Sequence, residues 1–290
     1  MKQTLVIGST VVDVILNIPC LPRRKEDINI TGAEFRIGGC AYNVFKTLRL
    51  FKSPALLCSP VGGGFHGRMI REHFEKEKIN PFVSLEAENG CCYCLVEPDG
   101  ERTFLSYHGA EYIFSRSWME NLDYSGVSDV FICGLEVEEP SGSEIVDFAY
   151  EHPELELFFA PGPRIMQIPG ERMERLLLRR DKAGKGPLLH LNEKEVLDFS
   201  GKRRVEEGAA MLAAKTGNNV IITLGERGCY CLSNSGHSYV PPFSASVVDT
   251  VGAGDAHCGA LIACLKKGMD PEEACLEANK AAAAMLADCR

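Results

Sequence analysis

The 290-residue chain is predicted to adopt an α/β fold with a mostly parallel central sheet, and three observations lead to this prediction. Apolar runs of strand length alternate with amphipathic helical patterns along most of the chain, which is the order that βα units require. Two β-rich runs joined by turn residues interrupt this alternation once, around residues 91–107. No internal repeat or linker divides the chain. We therefore expect a single domain over residues 1–290 that carries a small additional β-sheet.

Short apolar runs bounded by glycine, proline or polar residues define the predicted strands of the central sheet. In chain order these strands are residues 5–8, 55–59, 82–85, 130–133, 155–160, 188–191, 220–224 and 229–232. Apolar residues at helical spacing define the helices between them. These helices are a segment following Gly39 and residues 67–78, 143–151, 170–179, 205–214, about 253–267 and 271–287.

The interrupting hairpin consists of residues 91–96 and 102–107, joined by turn residues at 98–101. An earlier apolar stretch, residues 11–18, contains a single charged side chain, Asp13. An acid within an apolar strand has to be solvated or bound by something. We expect the segments at about 12–36 and 88–110 to form a small sheet that acts as a lid over the main domain, as a water-sensitive transfer reaction would require.

The composition excludes several classes of partner. Lysine and arginine number 31 and aspartate and glutamate 40, so the formal charge is −9, which argues against a nucleic-acid or anionic-membrane surface. No stretch of about 18 apolar residues occurs, and the start of the chain runs into a strand rather than a signal peptide. A cytoplasmic protein is therefore expected, in which the thirteen cysteines are buried reduced thiols rather than disulfides or a zinc site.

The strongest chemical signal is the run Asp249-Thr-Val-Gly-Ala-Gly-Asp255, which directly precedes a helical pattern. Its glycines remove side chains where a backbone must approach a ligand closely. The free N–H groups of Gly252, Ala253 and Gly254 and the helix dipole then form an anion site. Asp255 could accept the proton of a hydroxyl that attacks phosphorus. A capped glycine-rich helix start is the structural alternative, and a P-loop would need a lysine after its last glycine.

Several separated motifs resemble those of the ribokinase-like, or PfkB-type, carbohydrate kinase family. The matching runs are Gly38-Gly39-Cys-Ala-Tyr-Asn43, Asn192-Glu-Lys-Glu195, Thr223-Leu-Gly-Glu-Arg-Gly228 and the run ending at Asp255. The resemblance extends nearly end to end and implies a three-layer α/β/α fold with a β-sheet lid. It also implies that ATP is the phosphoryl donor and that Mg²⁺ is the cofactor.

The resemblance assigns a role to individual residues. The residues implied to bind the acceptor substrate are Asp13, Gly38, Gly39, Asn43 and Glu136. Those implied to lie near the nucleotide are Asn192, Thr223, Gly225, Gly228 and Asn279. Glu195 would organise Mg²⁺ through water, which fits an ion that retains several waters. Asp249 and Val251 match one wall of a K⁺ site, whose other wall would come from a C-terminal strand and loop that this sequence lacks.

The sequence therefore predicts a kinase that phosphorylates a primary hydroxyl of a small sugar, with Asp255 as base and the Gly252 to Gly254 amides as anion hole. Two alternatives remain open: an adenosine-like or pseudouridine-like nucleoside kinase, and a catalytically silent nucleotide-binding regulator. Ala160 stands where many relatives have aspartate or asparagine, which leaves one polar substrate contact unassigned. Relatives often dimerise through the lid, so a homodimer is a further expectation.

Overall fold

A computed structural model of the chain describes residues 2–123, 125–244 and 251–287. Its strands, within these residues, are β1 (Gln3–Ile7), β2 (Val11–Asn17), β3 (Gly32–Gly38), β4 (Ala55–Cys58), β5 (Pro60–Gly63), β6 (Val83–Glu88), β7 (Cys91–Val96), β8 (Arg102–Tyr107), β9 (Val127–Cys133), β10 (Glu156–Ala160), β11 (Leu188–Asn192), β12 (Val220–Thr223), β13 (Cys229–Ser233) and β14 (Gly236–Val240). The α-helices in the same residues are α1 (Cys40–Leu50), α2 (Gly64–Glu77), α3 (Arg116–Glu120), α4 (Gly134–Glu138), α5 (Gly142–Glu151), α6 (Gly170–Leu178), α7 (Glu193–Ser200), α8 (Val205–Thr216), α9 (Ala253–Lys266) and α10 (Pro271–Ala287).

The chain forms two compact units, and the first contains the large sheet. This first unit consists of residues 1–8, 40–58 and 114–290. Its eight strands follow the order β14-β13-β12-β11-β10-β9-β1-β4. Every neighbouring pair from β4 to β12 is parallel, whereas β13 and β14 are antiparallel. The predicted mostly parallel sheet is therefore confirmed.

Helices flank this sheet in two sets, which gives the predicted three-layer α/β/α arrangement. In one set α9 packs against α1 and α10, and in the other α8 packs against α6 and α7. The interior strands are apolar on both faces, as covered parallel strands require. For example, every residue of β12 except Thr223 is buried. The carboxyl ends of the parallel strands bring the motif residues to one edge of the sheet.

The second unit consists of residues 9–39 and 59–113, so it is built from two separated segments. Its four-stranded sheet has the order β3-β2-β7-β8, in which β2 pairs with β7 in parallel and the outer pairs are antiparallel. Strands from both predicted lid segments thus share one sheet. The hairpin strands have the predicted bounds.

The position of α2 differs from the sequence-based prediction. The pattern over residues 55–85 indicates a βαβ element of the main sheet, but only β4 joins that sheet. Strands β5 and β6 instead pair with each other in parallel within the second unit, and α2 connects them. A βαβ pattern defines the local order of elements, but it does not specify which sheet receives the strands.

Candidate active site

The N-terminus of α9 forms the glycine-rich backbone predicted from the sequence. Gly252 is the N-cap residue, and its φ of 78° is in the left-handed region that glycine tolerates. A Cβ at Gly252 would lie 3.2 Å from the Asn43 Nδ2, whereas one at Gly254 would meet no atom within 4 Å. The backbone is therefore open to a ligand at Gly254. The first N–H groups of α9 have no partner within the helix, so they can bind an anion there.

Asp255 lies in the first turn of α9, where Asn43 of α1 contacts it. The Asn43 side chain is buried, and its Nδ2 donates to the Asp255 Oδ2 over 2.9 Å. Burial raises the pKa of Asp255 to about 6, and the negative charge of Glu136 acts in the same direction. Hydrogen bonds from Asn43 and Cys40 and the charge of Lys46 partly offset this increase. A carboxylate with a pKa near 6 is ionised at neutral pH and remains a useful base.

Three further side chains surround Asp255, namely Glu136, Cys40 and Cys133. The sequence analysis predicted a role in the site for Glu136 only. Glu136 of α4 is fully buried, and a Cβ at Gly8 would lie 3.2 Å from its Oε1, so the carboxylate packs against a glycine backbone. The Cys40 thiol hydrogen-bonds to Asp255 and to the Cys133 thiol at the end of β9. The sequence analysis gave the two cysteines no role beyond burial. Only their proximity to Asp255 in the fold distinguishes them from the other thiols.

Two pockets open on the carboxyl ends of the strands in the first unit. The first has a volume of about 570 Å³, and the residues that surround it include Cys40, Cys133, Ala160, His190, Asn192, Glu195 and Asp255. The second has a volume of about 600 Å³, and the residues that surround it include Gly228, Phe243, Ala253, His257 and Asn279. Thr223, Gly225 and Gly254 line both pockets. The glycine-rich backbone is therefore accessible from both sides.

Asn192 and Glu195 form a capping box at the start of α7. The Asn192 side chain accepts from the Glu195 N–H over 2.8 Å, and the Glu195 Oε2 accepts from the Asn192 N–H over 3.0 Å. The Asn192 Nδ2 also donates to the Glu195 Oε1 over 2.7 Å. Burial raises the pKa of Glu195, whereas the Asn192 backbone lowers it. Both carboxylate oxygens are already hydrogen-bonded, which fits contact with a hydrated ion better than direct ligation.

The remaining predicted nucleotide residues lie around the second pocket. The chain turns sharply at Gly225 and Gly228, which have φ angles of 60° and 82°. A Cβ at Gly228 would collide with the Val240 carbonyl oxygen. Asn279 is buried, and its Nδ2 donates to the Pro241 carbonyl over 2.9 Å. Asn279 thus holds the segment that follows β14 against α10, where both border the pocket.

Next to the second pocket, two buried histidines form a pair that the sequence motifs do not indicate. His190 Nε2 lies 2.9 Å from His257 Nδ1. Burial lowers the pKa of His190 to about 4 and the pKa of His257 well below its ordinary value, so both rings are neutral at pH 7. His257 follows Asp255 by two positions on α9 but contacts a different strand. It is therefore a packing partner of β11 and not a second base beside Asp255.

The predicted acceptor residues of the second unit lie close together at the β2–β3 pair. Gly38 is buried at the end of β3, and a Cβ there would collide with the Asp13 Oδ2. Gly39 has a φ of 101°, and a Cβ at this position would lie 2.7 Å from the Ser9 carbonyl oxygen. Glycine is required at both positions, since Gly38 leaves room for the Asp13 carboxylate and Gly39 for the Ser9 backbone. Asp13 itself is half-buried.

One of the two residues predicted for the K⁺ site lies within the described part of the chain. Val251 is half-buried just before α9, whereas Asp249 lies outside the residues that the structure describes. No group of three or more histidine, cysteine, aspartate or glutamate side chains within the described ranges is arranged to hold a metal ion. Nine of the described cysteines are buried, and all of those described are free thiols. None of the helices in the described part of the chain has the length and apolar character needed to span a membrane.

Known structures identify the fold first. The fold matches that of the Arabidopsis thaliana ribokinase complexed with ribose and ATP, with a TM-score of 0.77 and 19% identity over 100% of this chain and 94% of that chain. It also matches the Burkholderia thailandensis nucleoside kinase in complex with inosine, with a TM-score of 0.80 and 19% identity over 99% and 90% of the two chains. The three-layer fold is thus the ribokinase fold.

Sequence comparisons then establish the family. The model of the pfkB family of carbohydrate kinases matches residues 1–146 and 183–288. The uncharacterized sugar kinase YegV of Escherichia coli (strain K12) is 33% identical over 97% of this chain and 87% of its own length. The chain therefore belongs to the pfkB family of carbohydrate kinases, and it is a kinase, that is, a transferase with an alcohol group as acceptor.

Proposed function

We propose that the protein transfers the γ-phosphoryl group of ATP to a primary hydroxyl of a small sugar. The observation that carries this proposal is the position of Asp255, which lines the first pocket together with Gly254 and has a pKa of about 6. A base and an anion-binding backbone so close together are what phosphoryl transfer to a hydroxyl requires. The same pairing has no evident purpose in a silent nucleotide-binding regulator.

In the proposed reaction, the acceptor oxygen forms a bond to the γ-phosphorus while the bond between that phosphorus and the β–γ bridging oxygen breaks, which releases ADP. Asp255 accepts the hydroxyl proton. The N–H groups of Gly252, Ala253 and Gly254 bind the negative charge on the transferred group. Asn43 holds one carboxylate oxygen by its 2.9 Å hydrogen bond, so that the carboxylate keeps a fixed orientation.

ATP is proposed as the donor because a ribokinase of the same fold is known in complex with ribose and ATP. The phosphates would lie along Gly254 where the two pockets meet, with the base of the nucleotide in the second pocket near Asn279. Thr223, Gly225 and Gly228 would shape that pocket, and Asn192 would approach the phosphates. Mg²⁺ would neutralise phosphate charge, and Glu195 would contact its water shell.

The proposal includes activation by a monovalent cation. Val251 and Asp249 would supply one wall of a K⁺ site. Initial rates in matched Na⁺ and K⁺ buffers test this part, and equal rates would count against the site.

For the acceptor, we propose that Asp13, Gly39 and Asn43 orient the sugar hydroxyls and that Gly38 makes room for the Asp13 carboxylate. Glu136 would add a further contact, since its buried carboxylate influences the pKa of Asp255. Ala160 lines the first pocket and offers no polar side chain, so the acceptor makes no side-chain hydrogen bond at that position.

A nucleoside acceptor is the second candidate, because a nucleoside kinase with bound inosine shares the fold. A panel of sugars and nucleosides assayed for ADP release with Mg²⁺-ATP separates the two acceptor classes. Turnover confined to sugars supports the first proposal, and turnover confined to nucleosides supports the second. No turnover with either class would favour the regulator.

The test of the mechanism is Asp255→Asn. This substitution keeps the size of the side chain and its ability to accept from Asn43, but it removes the base. We expect kcat to fall by about 10² to 10⁴, the usual contribution of a positioned general base. Asp198→Asn, at an exposed position of α7, is the matched control and should retain wild-type turnover. Unchanged kcat in Asp255→Asn would refute the mechanism.

A homodimer through the sheet of the second unit is also proposed. Large apolar side chains on its strands are exposed, namely Phe35, Tyr93, Phe104, Leu105 and Tyr107. Exposed apolar groups concentrated on one small sheet are typical of an interaction surface. Light scattering should give a dimer mass for the wild type and a monomer mass for Phe104→Ser with Leu105→Ser. A monomeric wild type would exclude this interface.

A further inference from the structure

The first turn of α1 contacts the proposed base at two positions. Cys40 and Asn43 are three residues apart, so their side chains lie on the same face of the helix. Asn43 donates to the Asp255 Oδ2 over 2.9 Å, and the Cys40 thiol also hydrogen-bonds to this carboxylate. Cys40, Cys133 and Asp255 all line the first pocket. Helix α1 therefore holds Asp255 through an amide and a thiol.

The direction of the hydrogen bond between Cys40 and Asp255 follows from the protonation states of the two groups. Its hydrogen bond with Cys133, its burial and the charge of Asp255 all raise the pKa of Cys40 well above the ordinary value. Although the Cys40 hydrogen bond lowers it, burial and Glu136 raise the pKa of Cys133 to about 11. Both thiols are thus protonated at neutral pH. Because an ionised carboxylate can only accept hydrogen bonds, the Cys40 thiol is the donor to Asp255.

We propose that Cys40 is a positioning residue for the base: its S–H group donates to Asp255 and orients the carboxylate towards the acceptor hydroxyl. This proposal rests on the proposed role of Asp255. A carboxylate has about four acceptor positions on its two oxygens. Two fixed donors from one helix turn restrict its rotation and leave room for the hydroxyl proton.

Other charged and titratable groups also act on Asp255, and the test has to separate them from Cys40. Glu136 of α4 and Lys46 of α1 act on the pKa of Asp255, and the charge of Asp255 in turn raises the pKa values of three neighbours, namely Cys133 of β9, Glu195 of α7 and Cys258 of α9. Among the described groups around Asp255, Cys40 is the thiol that hydrogen-bonds to the carboxylate. A change restricted to its S–H group isolates this contribution.

The experiment measures the pH dependence of kcat/KM for the acceptor at saturating Mg²⁺-ATP in Cys40→Ala and Cys40→Ser. The wild-type acid limb should have its midpoint at about 6, the pKa of Asp255. Cys40→Ala removes a donor to the ionised form, so the midpoint should move up by about half to one pH unit. Serine restores a donor, so Cys40→Ser should have a midpoint close to that of the wild type.

Cys258→Ala is the matched control. Cys258 lines the same pocket and is buried on α9, and Asp255 acts on it through charge rather than through a hydrogen bond. Because it is a neutral thiol, its replacement should leave the midpoint unchanged. Circular dichroism and thermal unfolding establish that each variant is folded. Loss of packing alone would lower kcat/KM at every pH without moving the limb.

Equal midpoints in the wild type and Cys40→Ala would overturn the positioning role, and so would a shift that serine does not reverse. These outcomes are distinct from failure of the proposed function, which would appear as full turnover in Asp255→Asn. If Asp255→Asn is inactive but the Cys40→Ala limb does not move, Asp255 remains the base and only the role of Cys40 is lost.

Discussion

Replacing Asp255 by asparagine should stabilise the folded protein at neutral pH while it removes turnover. The folded-state pKa of about 6 lies about 2 units above the ordinary value of 3.8. Since each unit corresponds to about 1.4 kcal/mol, ionising this buried carboxyl costs the folded state up to about 3 kcal/mol at pH 7. Part of the carboxylate faces the pocket, so we expect a gain of about 1–3 kcal/mol in the variant.

The gain should depend on pH in a defined direction. Below the ordinary pKa the carboxyl is protonated in both states, so the wild type and Asp255→Asn differ little. As pH rises through about 6, the wild-type folded state loses its proton at an energetic cost, whereas asparagine does not titrate. The difference between the two proteins should therefore increase between about pH 4 and pH 7 and then level off.

Urea unfolding at several pH values between 4 and 8 measures this difference. The single tryptophan, Trp118 on α3, belongs to the first unit, so its fluorescence reports the unit that contains Asp255. Asp198→Asn provides the control, because its exposed side chain should change the free energy of unfolding by less than about 1 kcal/mol at every pH. An Asp255→Asn variant that is less stable than the wild type at pH 7.5, or a pH-independent difference, would refute the argument.

Three further predictions concern neighbouring groups. Glu136→Gln removes a negative charge that raises the pKa of Asp255, so the acid limb of kcat/KM should move to lower pH; an unmoved limb would mean that Glu136 does not act on the base. Asn192→Ala removes the capping box of α7 and should lower the free energy of unfolding in urea by about 1–2 kcal/mol, whereas wild-type stability would show that the cap is dispensable. The His190–His257 pair has depressed pKa values, so the unfolded chain takes up protons first and stability should fall as pH drops from about 6.5 towards 4. The double variant His190→Leu with His257→Phe should show a flatter dependence in acid urea titrations, and an equal slope would contradict the assignment.

The sequence predicts the fold well where its signals are local. The hairpin strands β7 and β8 have the predicted bounds because turn residues define both of their inner ends. The glycine-rich run predicts the start of α9 because a helical pattern of residues follows it directly. Short elements such as α4 and α7 were missed, since five to eight residues carry too little periodicity to be recognised.

The interactions that could not be predicted join residues far apart in the sequence. Hydrophobic periodicity cannot show that β5, α2 and β6 belong to the second unit rather than to the main sheet. The same limit applies to the histidine pair, whose members are separated by 67 positions. Cys40 was treated as one buried thiol among thirteen, because its relation to Asp255 depends on how α1 packs against α9.

The construction of the second unit restricts how the protein can be re-engineered. Strand β2 comes from the first segment of this unit and forms its central ladder with β7 from the second segment. Neither segment contains a complete sheet, and a central strand without its neighbour would expose unpaired backbone groups. A chimera that exchanges this unit with that of another family member must therefore transplant both segments together. Substitutions that adapt one segment to a new acceptor will be constrained by the strand they face in the other.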